Sequence, residues 1–240
     1  QLMTKAAEAA FKAMQEHYPL AKSISVLCGA GNNAGDGYLI AAIALKAGYS
    51  VQLISLVAEE KLQGDAASAK QKFVDAGGRI LKDYQLLDDT TELLIDALLG
   101  TGLDREVTGL FADVIAHVNK LLIPVLAIDI PSGLNADTGN IMGCAICADI
   151  TITFIVLKQG LFTGLAADYC GQILFADLQV GAEVMATEDC QASLLSVQKL
   201  AKRSACAHKG YFGHVLIVGG DYGYAGAAIL AAEAALNAGS

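Results

Sequence analysis

The 240-residue chain contains no tryptophan, and aromatic residues make up only 6% of it. Its core must therefore be built from Ala, Val, Ile and Leu, as is typical of buried parallel sheets. Charged residues are also scarce at 17%, whereas hydrophobic residues reach 54%. This balance excludes a disordered or fibrous protein, because such chains lack the apolar side chains needed to bury a core.

Positively charged residues are also few. Lys and Arg number 16 against 25 Asp and Glu, which leaves a net charge of −9 and a pI near 4.8. Because such a chain repels polyanions, we expect no nucleic-acid partner. Runs of about 18 uncharged apolar residues are missing too, so we also expect no membrane span.

The six cysteines do not form a recognisable zinc site. Only Cys144 and Cys147 make a C-x-x-C pair, and no second pair completes a set of four ligands. The others are Cys28, Cys170, Cys190 and Cys206. We expect most of the six to be buried free thiols, and a redox or metal role is the alternative. So few cysteines without a secretory pattern indicate a reducing, cytoplasmic location.

Apolar segments alternate between helical and strand spacing along most of the chain. The pattern predicts helices near residues 2–17, 37–47, 65–76 and 110–121. It predicts strands near residues 23–28, 51–57, 79–81, 93–98, 124–129, 149–156 and 172–177. Unbroken apolar strands that alternate with helices are typical of an α/β protein with a doubly wound, mostly parallel, Rossmann-like sheet and helices on both faces.

A second unit follows a more polar stretch. Residues 214–218 are apolar and strand-like, a glycine-rich loop follows them, and a helical pattern extends to Ala238. We expect a domain over residues 1–180, a linker over 181–203 and the first βα unit of a second α/β domain over 204–240. That last segment is shorter than the roughly 40 residues that a chain needs to fold alone. Both ends of the sequence fall in mid-pattern, so we expect it to be cut from a longer protein.

Three polar loops follow predicted strands, at residues 29–36, 100–106 and 129–133. In an open parallel sheet, ligands bind at the carboxyl ends of strands, near the point where the strand order reverses. If the three strands are neighbours, the loops face one crevice.

The first loop carries a G-x-G-x-x-A pattern at residues 29–34, with a pair of glutamates at 59–60 beyond the next strand. This spacing fits the dinucleotide-binding fingerprint. The loop departs from that fingerprint because Asn32, Asn33 and Asp36 crowd the place where bare backbone would approach a pyrophosphate. These side chains can bind a polar ligand or a hard cation. The alternative is that Asp36 caps the following helix and the asparagines occupy left-handed turn positions.

The second loop follows Asp96, an acid inside an apolar strand. A buried carboxylate costs several kcal/mol unless it is paired or binds a cation. Asp96 is therefore a candidate metal ligand, and the alternatives are a backbone hydrogen bond or a pair with Arg105. Gly100 and Gly102 allow backbone N–H groups to point at an anion such as a phosphate.

The third loop places Asp129 at a strand end, where it can serve as a general acid or base, or bond local backbone in a turn. Ser132 can offer an oxygen to a cation. A serine nucleophile is disfavoured, because the G-x-S-x-G pattern is absent around Ser132. Lys158 lies just past the next strand, so it can reach the same edge or remain solvated.

Taken together, the loops resemble one known family, the NAD(P)H-hydrate epimerase or YjeF N-terminal domain, over about residues 1–180. The matching stretches are 28–37 (CGAGNNAGDG), 96–103 (DALLGTGL), 127–139 (AIDIPSGLNADTG), 148–154 (ADITITF) and 158–160 (KQG). Ala34 stands where the family usually has glycine, and the usual stretch before Leu2 is absent.

The resemblance implies that the chain interconverts the R and S epimers of NADH and NADPH hydrated at C6. It implies that a first group of residues contacts these substrates: Asn32, Asn33, Ala34, Gly35, Asp36, Gly100, Thr101, Gly102, Leu103, Asp104, Arg105, Glu106 and Lys158. It further implies potassium ligation by Asn33, Asp96 and Ser132, and contact of Asp129 with the hydrated ring as the catalytic residue. Oxygen ligands of this kind suit a hard cation.

The tail resembles the start of the ADP-dependent NAD(P)H-hydrate dehydratase domain, which is ribokinase-like. The matching residues are Arg203, 208–210 (HKG), 213–220 (GHVLIVGG) and 223–227 (GYAGA). This resemblance implies that Ala227 contacts substrate, and that the full-length protein also dehydrates the S form with ADP or ATP. We expect a cytoplasmic homo-oligomer. A non-catalytic binding module on the same fold is the alternative, followed by an NAD-dependent dehydrogenase.

Overall fold

A computed structural model of the chain divides into two compact units, residues 1–192 and 193–240. The structure describes residues 2–58, 62–87, 90–181, 192–195, 202, 204–211 and 213–238. Glu59 and Glu60, Cys190, Arg203 and most of the predicted linker over 181–203 therefore lie outside the described residues.

Among its described residues, the first unit contains seven parallel strands and four α-helices. The helices are α1 (Leu2–His17), α2 (Asn32–Lys46), α3 (Gly64–Asp75) and α4 (Leu110–Val118). The strands are β1 (Ser23–Cys28), β2 (Ser50–Ser55), β3 (Ile80–Leu81), β4 (Leu93–Ala97), β5 (Val125–Ile128), β6 (Ile150–Phe154) and β7 (Gln172–Ala176). They form one sheet in the order β3-β2-β1-β4-β5-β6-β7, and every pairing is parallel. The predicted doubly wound α/β fold is confirmed.

The two faces of the sheet carry separate cores, because successive side chains of a strand point to opposite faces. In β1, Val26 and Cys28 pack with α1, α2 and α3, whereas Leu27 packs with α4 on the other face. All but the first residue of β1 are buried, as the unbroken apolar sequence predicts for a central parallel strand.

The order of the strands reverses between β1 and β4, which are hydrogen-bonded neighbours. The chain leaves β1 toward β2 through α2 and leaves β4 toward β5 through α4 on the opposite face. The carboxyl ends of β1, β4 and β5 consequently meet at one edge of the sheet. This is the position at which doubly wound proteins bind their ligands.

Helix α2 begins at Asn32, five residues earlier than the sequence pattern predicts. Its N-cap residue is Gly31, and no side chain caps it. Asp36 lies inside the helix, so the alternative that it caps the helix is wrong. The two asparagines are helical, so the alternative of left-handed turns is also wrong. The early start reflects burial, because Asn33 through Gly35 pack inward against the protein.

The second unit contains helix α5 (Gly226–Ala238) and a short 3-10 helix at Lys209–Tyr211. The predicted strand over 214–218 is not formed, and Leu216 and Val218 are exposed. A strand is defined by its neighbour, and no strand among the described residues pairs with this segment. Ala227 lies in the first turn of α5 and is exposed.

Five cysteines lie among the described residues, and all of them are free thiols. Cys28 and Cys170 are buried, Cys144 is half-buried, and Cys147 and Cys206 are exposed. The prediction that most cysteines are buried is therefore wrong for the described ones: only Cys28 lies in a strand, and three of the four in connecting segments keep contact with solvent. Within the same part of the chain, no helix has the length and apolarity to cross a membrane.

Candidate functional site

A cleft of about 1180 Å³ lies at the carboxyl edge of the sheet in the first unit. The loop after β1 and the start of α2 form one wall, and the loop after β4 forms another. Residues after β5 and β6 close the floor, and the first turns of α1 contribute apolar side chains. The sheet order thus brings together the three polar loops that are far apart in sequence.

Most of the residues expected to contact substrate line this cleft. They are Asn32, Asn33, Asp36, Gly100, Thr101, Gly102, Leu103, Asp104, Arg105, Glu106, Asp129 and Lys158. Ala34 and Gly35 do not line it and are buried in α2, where a Cβ on Gly35 would lie 2.7 Å from the Met3 sulfur. Ala227 belongs to the second unit and is not among the lining residues.

Asp96 and Ser132 form a buried link beneath the cleft. The Ser132 hydroxyl donates to Asp96 Oδ1 at 2.6 Å, and the Ser132 N–H donates to Asp96 Oδ2 at 2.8 Å. The N–H of Leu98 also donates to Oδ1, at 3.2 Å. Gly133 makes this turn possible, because its φ is +97° and a Cβ there would lie 1.9 Å from the Cys144 carbonyl oxygen.

The Asp96 carboxyl is fully buried, and burial raises its pKa to about 6. The hydrogen bonds from Ser132 act in the opposite direction, because they stabilise the ionised form. The backbone hydrogen bond to Asp96, one of the alternatives that the sequence left open, is present. The alternative of a pair with Arg105 is wrong, because the ion pairs among the described residues do not include one between Asp96 and Arg105.

Leu99 connects this link to Asn33. The Asn33 Nδ2 donates to the Leu99 carbonyl oxygen at 2.9 Å, and the Leu99 N–H donates to the Ser132 hydroxyl oxygen at 2.8 Å. Asn33 Oδ1 is buried, and no group among the described residues donates to it. The three residues expected to bind potassium are therefore gathered around Leu99, and one of their oxygens is an unsatisfied acceptor.

Asp36 faces the cleft from the second turn of α2, with Oδ1 buried and without a hydrogen-bond partner among the described residues. Burial raises the pKa of its carboxyl to about 7, and the negative charge of Asp129 adds to the increase. Near neutral pH a large fraction of Asp36 is therefore protonated and can donate a hydrogen bond.

Asp129 follows β5 in an unusual backbone conformation, with a φ of +68°. The Ile130 N–H bonds the Ile128 carbonyl across it at 2.9 Å, which makes a tight three-residue turn. This turn directs the side chain of Asp129 across to β6. Positive φ in a non-glycine residue costs about 1–3 kcal/mol and concentrates at functional sites.

The Asp129 carboxylate pairs with the Lys158 ammonium group, and the side chains are only 19% and 15% exposed. Its Oδ1 also accepts from the Thr153 hydroxyl at 3.3 Å and from the Phe154 N–H at 3.4 Å. Lys158 thus reaches the cleft edge and is not a solvated surface lysine.

Several residues of the site were not singled out from the sequence. Thr153 bonds both members of the ion pair, and Leu99 bonds two of the expected potassium ligands through its backbone. Met3, from α1, lines the cleft although it lies far from every motif. The signal for Thr153 was present in the alternating Ile-Thr-Ile-Thr of β6, which turns hydroxyls away from the face that packs on α1. Main-chain contacts such as those of Leu99 leave no such signal.

The chain is similar to known proteins along its whole length. The family described as YjeF-related protein N-terminus matches residues 1–160. The chain is 41% identical to the bifunctional NAD(P)H-hydrate repair enzyme Nnr of Escherichia coli, and 40% identical to that of Coxiella burnetii. Each match covers 100% of this chain but only 47% and 50% of those proteins, so the chain spans about half the length of these curated relatives.

A shorter relative is covered more completely by this chain. The chain is 40% identical to the NAD(P)H-hydrate epimerase of Limosilactobacillus fermentum, over 73% of this chain and 84% of that protein. Among solved structures, the yeast protein ynu0, YNL200c, superposes with a TM-score of 0.60 at 22% identity, over 67% of this chain and 72% of that chain, which shows a shared fold. The chain therefore belongs to the YjeF-related family, whose N-terminal domain it contains.

Proposed function

We propose that the first unit is an NAD(P)H-hydrate epimerase, which interconverts the R and S forms of NADH and NADPH hydrated at C6. The observation that carries this proposal is the placement of the Asp129–Lys158 pair in the same cleft as the polar loop over 100–106. The names of the relatives in the YjeF-related family agree with it.

The chemistry requires a group that both accepts and returns a proton. The C6 hydroxyl of the hydrated ring sits on a carbon bonded to N1, so its inversion needs the ring to open and close or water to leave and return. In ring opening, the Asp129 carboxylate takes the hydroxyl proton as C6 becomes a carbonyl. The C6–N1 bond breaks with its electron pair moving to N1, and the Asp129 carboxyl returns the proton to N1. Closure on the opposite face of the carbonyl reverses these steps.

The rest of the cleft has the groups to hold a dinucleotide. Its volume of about 1180 Å³ exceeds the ~300–1,000 Å³ of ordinary small-molecule sites. Gly100 and Gly102 leave backbone N–H groups accessible, and Arg105 supplies a cation near them in an otherwise acidic chain. Asp36 in its neutral form adds a hydrogen-bond donor on the opposite wall. Such contacts would place C6 beside Asp129.

We further propose that Asn33, Asp96 and Ser132 hold a potassium ion. The residues fit a hard cation, because all three present oxygen atoms and Asn33 Oδ1 is a buried acceptor without a donor. A bound potassium ion would offset the buried charge of Asp96. It would also stabilise the backbone at Leu99, which directly precedes the loop over 100–106.

The second unit is proposed to begin the ADP-dependent dehydratase half of a bifunctional enzyme, with ADP or ATP as its cofactor and Ala227 as a substrate contact. Two bifunctional relatives match the chain over its whole length, and this supports the proposal. Homo-oligomer formation and a cytoplasmic location stay predictions. Light scattering coupled to size-exclusion chromatography tests the first of them.

The deciding experiment compares Asp129→Asn with the wild-type chain. We expect epimerisation of purified R hydrate, followed by chiral chromatography, to fall by at least about 100-fold, as is usual for loss of a general acid-base group. Binding of the hydrate, measured by calorimetry, should survive. Asp137→Asn is the matched control, since Asp137 is an exposed carboxylate that does not line the cleft. Equal activity in Asp129→Asn would remove Asp129 from the mechanism, and a wild-type chain that binds but does not epimerise would favour a binding module.

A further inference from the structure

We propose that Thr153 is a positioning residue for Asp129. Together with Lys158 it occupies Oδ1 of the carboxylate and leaves Oδ2 as the oxygen that exchanges protons with substrate. This inference rests on the proposed function for its catalytic consequence, but its structural content can be tested without activity.

The Thr153 hydroxyl uses its hydrogen-bonding capacity on both members of the ion pair. It accepts from Lys158 Nζ at 2.9 Å and donates to Asp129 Oδ1 at 3.3 Å. Thr153 is fully buried in β6, so its hydroxyl is shielded from solvent. The threonine is β-branched, and its χ1 is therefore stiff, which fixes the direction of the hydroxyl.

The ammonium group of Lys158 also uses all of its hydrogen-bond donors within the protein. Its ammonium group has three hydrogens, and it donates to Asp129 Oδ1, to the Thr153 hydroxyl and, at 2.9 Å, to the Phe154 carbonyl oxygen. Two of these three acceptors belong to β6. Lys158 is thus bound to β6 by two hydrogen bonds, and its third hydrogen bond connects Asp129 to that strand.

The backbone just after β5 and β6 is strained, and contacts such as these stabilise it. Asp129 and Ile155 are non-glycine residues with φ of +68° and +67°, at the ends of the paired strands β5 and β6. Each is spanned by a hydrogen bond between its two neighbours, at 2.9 Å and 2.7 Å. Both turns hold a non-glycine backbone in a strained conformation, and contacts around them must offset that strain.

The result is an asymmetric carboxylate. Every hydrogen bond that Asp129 accepts from the described residues goes to Oδ1, and Oδ2 accepts none. An oxygen without protein donors is the better proton acceptor in the cleft, because hydrogen bonds to a carboxylate oxygen stabilise its charge and lower its basicity. Removal of the Thr153 hydroxyl should loosen the pair and let the carboxylate rotate.

Three variants separate positioning from a merely structural role. Thr153→Val keeps the shape and removes the hydroxyl, whereas Thr153→Ser restores the hydroxyl. Thr151→Val is the matched control, because Thr151 lies on the same face of the same strand, is fully buried, and donates to the Cys170 carbonyl oxygen at 2.8 Å. The control should lose comparable stability without touching the ion pair.

The kinetic readout is the split between kcat and KM for epimerisation. We expect kcat of Thr153→Val to fall about tenfold with KM within about twofold of wild type, since a rotated carboxylate misplaces the reacting oxygen. Thr153→Ser should recover most of the loss, and Thr151→Val should keep the wild-type kcat. Equal kcat values for Thr153→Val and Thr151→Val would overturn the inference.

A second readout does not depend on activity. NMR measures the scalar coupling across the hydrogen bond between Lys158 Nζ and the Asp129 carboxyl carbon. We expect this coupling in wild type and in Thr151→Val, and its loss or clear weakening in Thr153→Val. If it persists unchanged in Thr153→Val, the positioning role is wrong whatever the activity. If the couplings behave as expected but the wild-type chain does not epimerise, the proposed function fails and the positioning role stands.

Discussion

Ser132 contacts both oxygens of the Asp96 carboxylate, through its hydroxyl at 2.6 Å and its N–H at 2.8 Å. Asp96 lies in β4 and Ser132 lies in the turn after β5, so the contact joins the end of one strand to the turn that follows the next. Burial raises the pKa of Asp96 to about 6, above its unfolded value near 3.9. The charged form of Asp96 therefore opposes folding increasingly as pH rises through this interval, and the Ser132 hydroxyl reduces that opposition.

The first prediction is that Ser132→Ala destabilises the fold in a pH-dependent way. The loss should be about 1–3 kcal/mol at pH 8, where Asp96 is ionised and loses a donor, and smaller at pH 5, where the carboxyl is mostly protonated. Urea unfolding at both values in potassium-free buffer measures it. Ser55→Ala is the control, since the buried Ser55 hydroxyl donates to the carbonyl oxygen of Val57 and not to a carboxylate. A pH-independent difference between the two variants would contradict the prediction.

The second prediction concerns potassium. If the ion binds only the folded chain, KCl should raise the midpoint of thermal unfolding relative to tetramethylammonium chloride at equal ionic strength. The gain reaches about 2.7 kcal/mol when the ion is at about 100 times its Kd. Asn33→Ala removes the unsatisfied Oδ1 and should abolish the gain. Asn119→Ala, which removes another asparagine that bridges backbone segments, should retain it. The same potassium effect in both variants would argue against the site.

The third prediction is that Asp36→Asn removes a pH-dependent loss of folding stability. The folded pKa of about 7 exceeds the ordinary value of 3.8, so wild-type stability falls as pH rises between them. The stabilisation by Asp36→Asn should be about 1–1.5 kcal/mol at pH 5 and should grow to roughly 2–4 kcal/mol at pH 8, at about 1.4 kcal/mol per pKa unit and less wherever water reaches the group. Parallel urea titrations measure the difference. Asp75→Asn, at an exposed carboxylate on α3, should show no such trend.

The fourth prediction tests how closely α2 lies on the sheet. A Cβ on Gly37 would lie 2.6 Å from Ala97 Cβ and 2.9 Å from Cys28 Sγ. Alanine would gain up to about 1 kcal/mol of helix propensity but lose about 1–3 kcal/mol to overpacking. Gly37→Ala should therefore lower the unfolding midpoint. Gly102→Ala should not, because nothing lies within 4 Å of a Cβ there. A Gly37→Ala chain more stable than wild type would show that the two elements can separate freely.

The sequence was sufficient to predict the strands of the sheet, because strand-forming segments such as Val125–Ile128 are apolar throughout and end at polar loops. It was less informative about α2, whose start was predicted five residues late. Glycine and asparagine favour loops in isolation, and only burial of Asn33 through Gly35 against the rest of the fold makes this segment helical. The segment over 214–218 shows the opposite error, because strand propensity without a neighbour does not make a strand.

By itself, the sequence determined the fold class and the residue types at the strand ends, because apolar periodicity and the spacing of Asp96, Asp129 and Lys158 are local properties of the chain. Only the tertiary structure decided which groups meet. The bond from Asn33 to Leu99, the pair of Asp129 with Lys158 and the role of Thr153 all depend on strand neighbours and on positive-φ turns. These contacts join residues from separate strands and loops, and no local pattern encodes the distance between such groups.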